Sequence, residues 1–210
     1  VVQVVRSLDA DVLGLQEVGW ALRGRAGFDQ FAYLERETGL TVVPGLVRHH
    51  AKAHFGNAIL TAHPVEAVDS FDLGLPYHSP RGGVEARLRV RGRPLRVLTV
   101  HLGLNPMERR IQIQRLLPRL EADPETPTIL CGDMNHWRRA GVSMDRLAAL
   151  LPTRVDGPTY PSRLPTLPFD RILASPHLAL MDHGVVRTEG TRVTSDHLPL
   201  MARFVFREDP

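Results

Sequence analysis

Seven polar side chains stand where the apolar runs of this sequence stop. Glu17 closes the run at 11–18, and His101 closes that at 95–102. Asp133 and Asn135 follow the run 128–131, in Gly132-Asp133-Met134-Asn135. Asp170 lies inside 169–173, and Asp196 and His197 precede the last run, 200–206. These four carboxylates, one amide and two histidines form an oxygen-rich set. It suits Mg²⁺ or Mn²⁺, which take hard oxygen ligands, and it contains groups that move protons near neutral pH. Spread along the chain in this way, they make one site only where loops at one edge of a scaffold converge. Taken singly, each has a plainer reading. Asp133 after a glycine is a turn residue, Asp170 is a partner for Arg171, Glu17 is a solvated strand end, and either histidine is a hydrogen-bonded structural residue.

The elements that must position these groups are written in the periodicity. Residues 11–18 (DVLGLQEV) read as a short buried strand, and period-two alternation puts Leu13, Leu15 and Glu17 on one side. The preceding VVQVVRSL reads as the end of a helix. Residues 55–64 and 84–90 read as strands. In 95–102, Leu95, Val97, Thr99 and His101 face one way, and Arg96, Leu98, Val100 and Leu102 the other. Arg91-Gly92-Arg93-Pro94 is a turn, so 84–90 and 95–102 are expected to form a hairpin. Asn105 can cap a helix that has Pro106 at its first position and Glu108 reaching back to close a capping box. That helix carries Ile113, Leu116, Leu117 and Leu120 on one stripe, and Pro118 is expected to kink it or end it early.

Residues 128–131 (TILC) read as a strand stopping at Gly132-Asp133. Cys131 shares the side of Ile129 and is read as a small buried hydrophobe rather than a nucleophile. A helix is expected over 144–151. Five prolines in 152–169 make a stiff loop. Residues 169–173, 178–186 and 200–206 read as the last strands. There is no internal repeat, low-complexity tract or linker, and helices fall between strands, which predicts one α/β domain over 1–210.

Composition narrows the class. The 210 residues are 43% hydrophobic and 23% charged, the balance of a globular chain. No stretch approaches the roughly 18 apolar residues of a membrane span, and no secretory signal is visible. The single cysteine excludes an intramolecular disulfide and any multi-cysteine zinc site, and it points to a reducing, cytoplasmic setting. Net charge is +3, yet Lys52 is the one lysine, so 25 of the 26 basic side chains are arginine. Arginine forks grip phosphates and carboxylates in two-pronged fashion, which fits an anionic substrate. Arginine-favouring codon usage explains the same bias.

The motifs LQEV, GNAIL, HLG, GDMN, FDRIL and SDHLPL, in that order, resemble the endonuclease/exonuclease/phosphatase superfamily, the fold of deoxyribonuclease I. The texture resembles its small bacterial stand-alone members. The resemblance covers the chain from Asp11 to about Phe206. It implies a four-layer α/β sandwich of two packed sheets, antiparallel or mixed, flanked by helices, with the site at one edge. It also implies roles. Glu17 matches the principal Mg²⁺ ligand, and Asp196 a metal or second-metal position. Asp133 matches the carboxylate that orients or deprotonates the attacking water. Asn135 matches the amide that holds the nucleophile and a phosphate oxygen. His197 matches the histidine on the scissile phosphate, Asp170 the carboxylate orienting it, and His101 a further histidine at the phosphate. Asn57 sits where some members pair a residue with that last histidine.

One departure stands out. The family opens with a strand carrying an asparagine of the site, followed by a helix; here only 16 residues precede Glu17. The expectation is a single domain, 1–210, beginning after that strand. The implied function is Mg²⁺- or Mn²⁺-dependent hydrolysis of a phosphoester, more readily a diester. The substrate is nucleic acid, a phospholipid headgroup or a small phosphorylated metabolite, with no stable membrane insertion. The alternative is a non-catalytic anion-binding domain, or an inactive copy of the fold.

Overall fold

The computed structural model describes residues 1–21, 28–50, 53–137 and 142–208. The chain starts with α1 (Val2–Leu8), β1 (Val12–Ala21), β2 (Phe28–Asp29), α2 (Gln30–Thr38), β3 (Thr41–His50) and β4 (Ala53–Thr61). It continues through β5 (Val65–Asp72), β6 (Gly82–Val90), β7 (Arg93–His101), α3 (Pro106–Glu121) and β8 (Thr128–Asp133). It ends with α4 (Val142–Leu150), β9 (Thr153–Asp156), β10 (Asp170–Ala174), β11 (Leu178–Val185), α5 (Glu189–Thr194) and β12 (Leu200–Phe206).

Alternation along β7 shows why four layers form. Val97 and Leu95 face inward, onto Ile59 of β4, Val43 of β3 and Phe204 of β12. Leu98, Val100 and Leu102 face outward, under Ile113, Leu116 and Leu117 of α3 and Leu147 of α4. On the far side, Leu13 of β1 and Leu60 of β4 lie under Val5 of α1 and Leu34 of α2. A strand apolar on both faces has to be covered on both, so each sheet has helices outside and a sheet inside. This is the α/β sandwich the resemblance implied.

The larger sheet has the order β5-β6-β7-β8-β10-β9. β6 and β7 form the expected hairpin about the two-residue turn Arg91-Gly92, both in left-handed backbone (φ 50° and 80°). β7 and β8 are parallel and joined by the crossover through α3, while β8 and β10 are antiparallel. The opposing layer is in two pieces among the described residues: β2-β1-β4-β3, and the pair β11-β12. Among the described residues β1 meets β2 only at Trp20 and Ala21, and β12 pairs only with β11. Between the facing edges of β1 and β12 runs a cleft of about 1560 Å³ with Val97, Ile129 and Cys131 on its wall.

Several expectations need correction. β4 ends at Thr61, three residues short of the expected end, where Ala62 N–H turns back to Asp11 O. α3 runs through Pro118 to Glu121. A proline one turn from a helix end deletes one bond and is tolerated where the sheet-facing stripe, Leu116, Leu117 and Leu120, is buried. Asn105 does cap α3, accepting from Met107 N–H, but Glu108 leaves the capping box open and accepts instead from Gln112 Nε2. β8 does not stop at Cys131 but continues to Asp133. The proline-rich loop contains the edge strand β9.

Candidate active site

Three successive pairings put functional side chains in one row at the end of the larger sheet. Gly82 of β6 is the register partner of His101, His101 of Asp133, and Asp133 of Asp170. The hairpin, the parallel crossover and the antiparallel pair all end at the same edge. One row thus gathers strand ends that run from Gly82 to Asp170 in the sequence.

Gly132 lets β8 reach that edge. Its φ is 136°, and a Cβ there would lie 2.0 Å from Val100 O. Only glycine fits such backbone at such a contact. Asp133 then folds back on its own loop: its Oδ1 accepts from Asn135 N–H at 2.8 Å, with Asn135 itself left-handed at φ 50°. Asn135 Nδ2 donates to Leu102 O at 2.9 Å, and Leu102 N–H to Asp133 O, tying the loop to the end of β7. Asp133 and Asn135 are both buried.

Glu17 arrives from the opposing sheet, and not as alternation predicted. The pairing of β1 with β4 slips between Leu15 and Val18, and Glu17 takes φ 59°. This β-bulge re-aims the strand. Leu13, Leu15 and Val18 stay under the helices, while Gln16 Nε2 donates to Thr99 Oγ1 of β7 at 2.9 Å. Glu17 Oε1 lies 3.9 Å from His101 Nδ1, and its side chain is 63% exposed. The parity that grouped Glu17 with Leu13 and Leu15 is therefore overturned by the bulge.

His197, just before β12, closes the cluster. Its Nδ1–H donates to Asp170 Oδ2 at 2.7 Å, and its Nε2 lies 4.0 Å from Asp133 Oδ2. His101 Nε2 lies 3.5 Å from the same oxygen. His197 also packs on the rings of Tyr160, at 4.9 Å, and Phe169, at 6.1 Å. Asp196 is exposed on the rim of the cleft, near enough to favour the charged form of His197. Asn57 is spent elsewhere: its Nδ2 donates to Gly82 O rather than to His101.

The two histidines are driven apart in charge. Burial, the Arg81 guanidinium and His197 push His101 down to about 3, so it is neutral. Burial works against the imidazolium of His197 too, but the hydrogen bond and charge of Asp170 outweigh it, and its pKa is raised. Burial and the neighbouring Asp170 push Asp133 up to about 6 despite the Asn135 N–H. Burial holds the Cys131 thiol at about 11, unreactive at neutral pH.

Sequence reasoning missed Arg81, Tyr160 and Phe169 as parts of this site. Arg81 had a usable signal. A two-residue turn at Arg91-Gly92 fixes the hairpin register, and counting back from it places Gly82 opposite His101, hence Arg81 beside it.

Glu17, Asp133, Asn135, Asp170 and Asp196 supply hard oxygens, the donor chemistry of Mg²⁺, which keeps several waters and needs only one or two carboxylates. Among the described residues no three His, Cys, Asp or Glu side chains form a ready metal cage. The donor set fits a largely hydrated Mg²⁺ held at Glu17, and not a tetrahedral transition-metal site.

The endonuclease/exonuclease/phosphatase family matches residues 1–197, and the chain belongs to it. The uncharacterized protein YbhP of Escherichia coli K12 is 28% identical over 215 residues, covering 94% of this chain and 84% of that protein. Among solved structures, an endonuclease/exonuclease/phosphatase from Beutenbergia cavernae superposes with a TM-score of 0.80 at 20% identity. That match covers 98% of this chain, which spans 65% of the length of the Beutenbergia chain. The mannosyl-6-phosphatase Bt3783 of Bacteroides thetaiotaomicron superposes with a TM-score of 0.75 at 17% identity, over 98% of this chain and 89% of that one.

Proposed function

We propose that this chain is a Mg²⁺-dependent hydrolase of phosphoesters, with phosphodiesters, in nucleic acid or a phospholipid headgroup, as its preferred class. The observation that carries the reading is the His197–Asp170 pair, 2.7 Å apart, facing a buried carboxylate, Asp133, whose pKa sits at about 6. A general base works best with a pKa near the operating pH, and Asp133 has one. It takes the proton of the attacking water, and Asn135 holds the loop and the nucleophile in place. Asp170 accepts from Nδ1–H, orients the ring and favours the charged form of His197, so that the Nε2–H of the imidazolium points at the phosphoryl oxygens and stabilises charge developing there. Neutral His101 adds a second ring beside Asp133.

Glu17, with Asp196 as a second oxygen at the rim, would hold Mg²⁺, which when bound neutralises phosphate charge. Membership of the family and the phosphatase named among its structural neighbours support phosphoester hydrolysis in general. The lone cysteine supports a cytoplasmic setting, and no helix among the described residues is long and apolar enough to cross a membrane. The test is hydrolysis of bis(p-nitrophenyl) phosphate by wild type and Glu17→Gln across a Mg²⁺ titration. The proposal expects activity that EDTA abolishes and an apparent Mg²⁺ affinity at least about tenfold weaker in Glu17→Gln. Activity indifferent to EDTA would remove the metal from the account.

A further inference from the structure

We propose that the edge of the molecule carrying the site docks on the surface of an anionic phospholipid bilayer, which presents the phosphodiester of a lipid headgroup to the cleft. The inference rests on the phosphoester reading above and names the source of its substrate.

The location of the exposed apolar side chains carries the argument. One such residue alone means nothing on a protein surface. Here they gather. Gly82, His101, Asp133 and Asp170 share one sheet edge, so the segments 73–81, 102–105, 134–137 and 157–169 leave the sheet on that side. Segment 186–199, between the paired ends of β11 and β12, brings His197 to the same edge. Among the described residues the four most exposed large apolar side chains are Tyr77, Leu164, Val193 and Leu104, from wholly exposed to 69% exposed, and all four lie on these segments. Trp137 and, in the first turn of α3, Met107 are exposed beside them. The connections 62–64, 91–92, 122–127 and 175–177 at the opposite edge expose none.

The tips are held stiffly. Pro76 precedes Tyr77, Pro106 precedes Met107, and Pro165 follows Leu164. His78 N–H closes a turn on Leu75 O at 3.2 Å that keeps Tyr77 in left-handed backbone at φ 63°. A residue with a Cβ adopts that conformation at a cost, and a ring left in water returns nothing for it. Stiff tips lose little conformational freedom when a partner covers them.

Charge says what the partner is. Arg110, Arg163, Arg187 and Arg192 are exposed at this edge, and none has an ion pair among the described residues. Elsewhere Arg87, Arg89 and Arg119 are paired with Asp123, Glu66 and Asp69. The exposed carboxylates of these segments are Glu189 and Asp196, and Asp196 belongs to the cleft rim. Arg163 adjoins Leu164, and Arg192 adjoins Val193. A cation beside an apolar tip matches an anionic bilayer: the tip enters the acyl boundary while the guanidinium meets lipid phosphates. Tyrosine and tryptophan suit the headgroup level between them. Single-stranded nucleic acid asks instead for aromatic platforms on which bases stack, and Leu104, Met107, Leu164 and Val193 offer none.

The test is flotation of the full chain, in EDTA, with phosphatidylcholine vesicles with or without about 30% phosphatidylglycerol. Wild type should float with the anionic vesicles. The triple variant Met107→Ser, Leu164→Ser, Val193→Ser should bind them at least about tenfold more weakly. The double variant Arg110→Gln, Arg163→Gln should bind them about 10–30-fold more weakly and lose nothing on neutral vesicles. None of these five side chains lines the cleft, so both variants should keep wild-type melting and wild-type turnover of soluble bis(p-nitrophenyl) phosphate. Wild type that stays off anionic vesicles, or flotation equal in all three proteins, overturns the proposal. So does an edge whose tips are needed instead for binding a single-stranded oligonucleotide, or for self-association in sedimentation, without vesicle binding. Tip-dependent vesicle binding by a protein that hydrolyses no soluble diester keeps the docking surface and sinks the hydrolase reading. Turnover of the soluble diester without vesicle binding does the reverse.

Discussion

Asp133 shows how one side chain carries opposite demands. It is buried beside another carboxylate, which raises its pKa from 3.8 to about 6. A carboxyl whose folded pKa is raised stabilises the fold fully below its unfolded pKa, and that contribution disappears as pH rises through the folded one. At pH 7–8, Asp133 is therefore ionised at a cost on the order of 3 kcal/mol, since each tenfold change in proton affinity is worth about 1.36 kcal/mol. Asp133→Asn keeps the shape and an acceptor for Asn135 N–H, and removes the charge. In EDTA it should melt above wild type at about pH 8, and the difference should shrink to nothing by about pH 4. A variant melting below wild type at pH 8 contradicts the assigned cost. The raised pKa also sets the pH dependence of turnover: activity should fall about tenfold for each pH unit below about 6, where the base is protonated. A flat profile from pH 5 to 8 would show that another group accepts the proton.

The identities of the cluster were legible at this scale because each residue stands at or near one end of an apolar run, and a run's boundary is visible in sequence. The direction of Glu17 was not. A bulge adds a residue without changing composition, and period-two counting passes straight through it. Arg81 was hidden differently: among 25 arginines nothing local marks the one that stands beside His101 at the sheet edge.

Strand ends do the positioning, and two of them make separate predictions. Gly132→Ala should lower the melting temperature by several degrees and reduce activity sharply. Its Cβ would meet Val100 O at 2.0 Å, so β8 has to shift just where Asp133 begins. A Gly132→Ala protein with normal melting and turnover would mean that the loop adapts at no cost.

The second concerns the facing edges of β1 and β12. Their unpaired backbone groups border a cleft of about 1560 Å³ with apolar residues on its wall. α1 leads into β1, and a strand ahead of such a helix lies parallel to the one after it in a right-handed crossover. A strand joined upstream of Val1, within an added segment of roughly 20–30 residues, one strand plus most of a helix at usual lengths, should pair with β1 and β12. It should raise both the melting temperature and the Mg²⁺-dependent diesterase rate. Equal stability with and without it would mean that the two edges gain nothing from a partner. β3, β5, α2 and α5 were not foreshadowed, because their faces are only half-buried and their apolar patterns are weak.

At the scale of the molecule, the arginine bias separates into uses. Arg96 is fully buried and forks onto Glu85, at 2.7 and 3.1 Å, on the helix-covered face of the larger sheet. Arg119 donates to Asp69, and Arg87 and Asp123 pair at 2.7 Å nearby. These carboxylate pairs lock strands to α3 and face away from the cleft. The excess of arginine thus reflects internal bracing as well as anion binding, and net charge alone could not separate the two. What organises the whole is the common edge at which two sheets from different halves of the chain deliver Glu17 and His197 to the row His101, Asp133 and Asp170.

The central claim is that this edge hydrolyses phosphoesters through Asp133. Its most direct test is the turnover of bis(p-nitrophenyl) phosphate at about pH 8 with saturating Mg²⁺, comparing wild type with Asp133→Asn. Wild type should turn over, and Asp133→Asn, folded and at least as stable, should be slower by about 10² or more, the usual worth of a general base. Equal rates in the two proteins, or no turnover in wild type, would contradict the account.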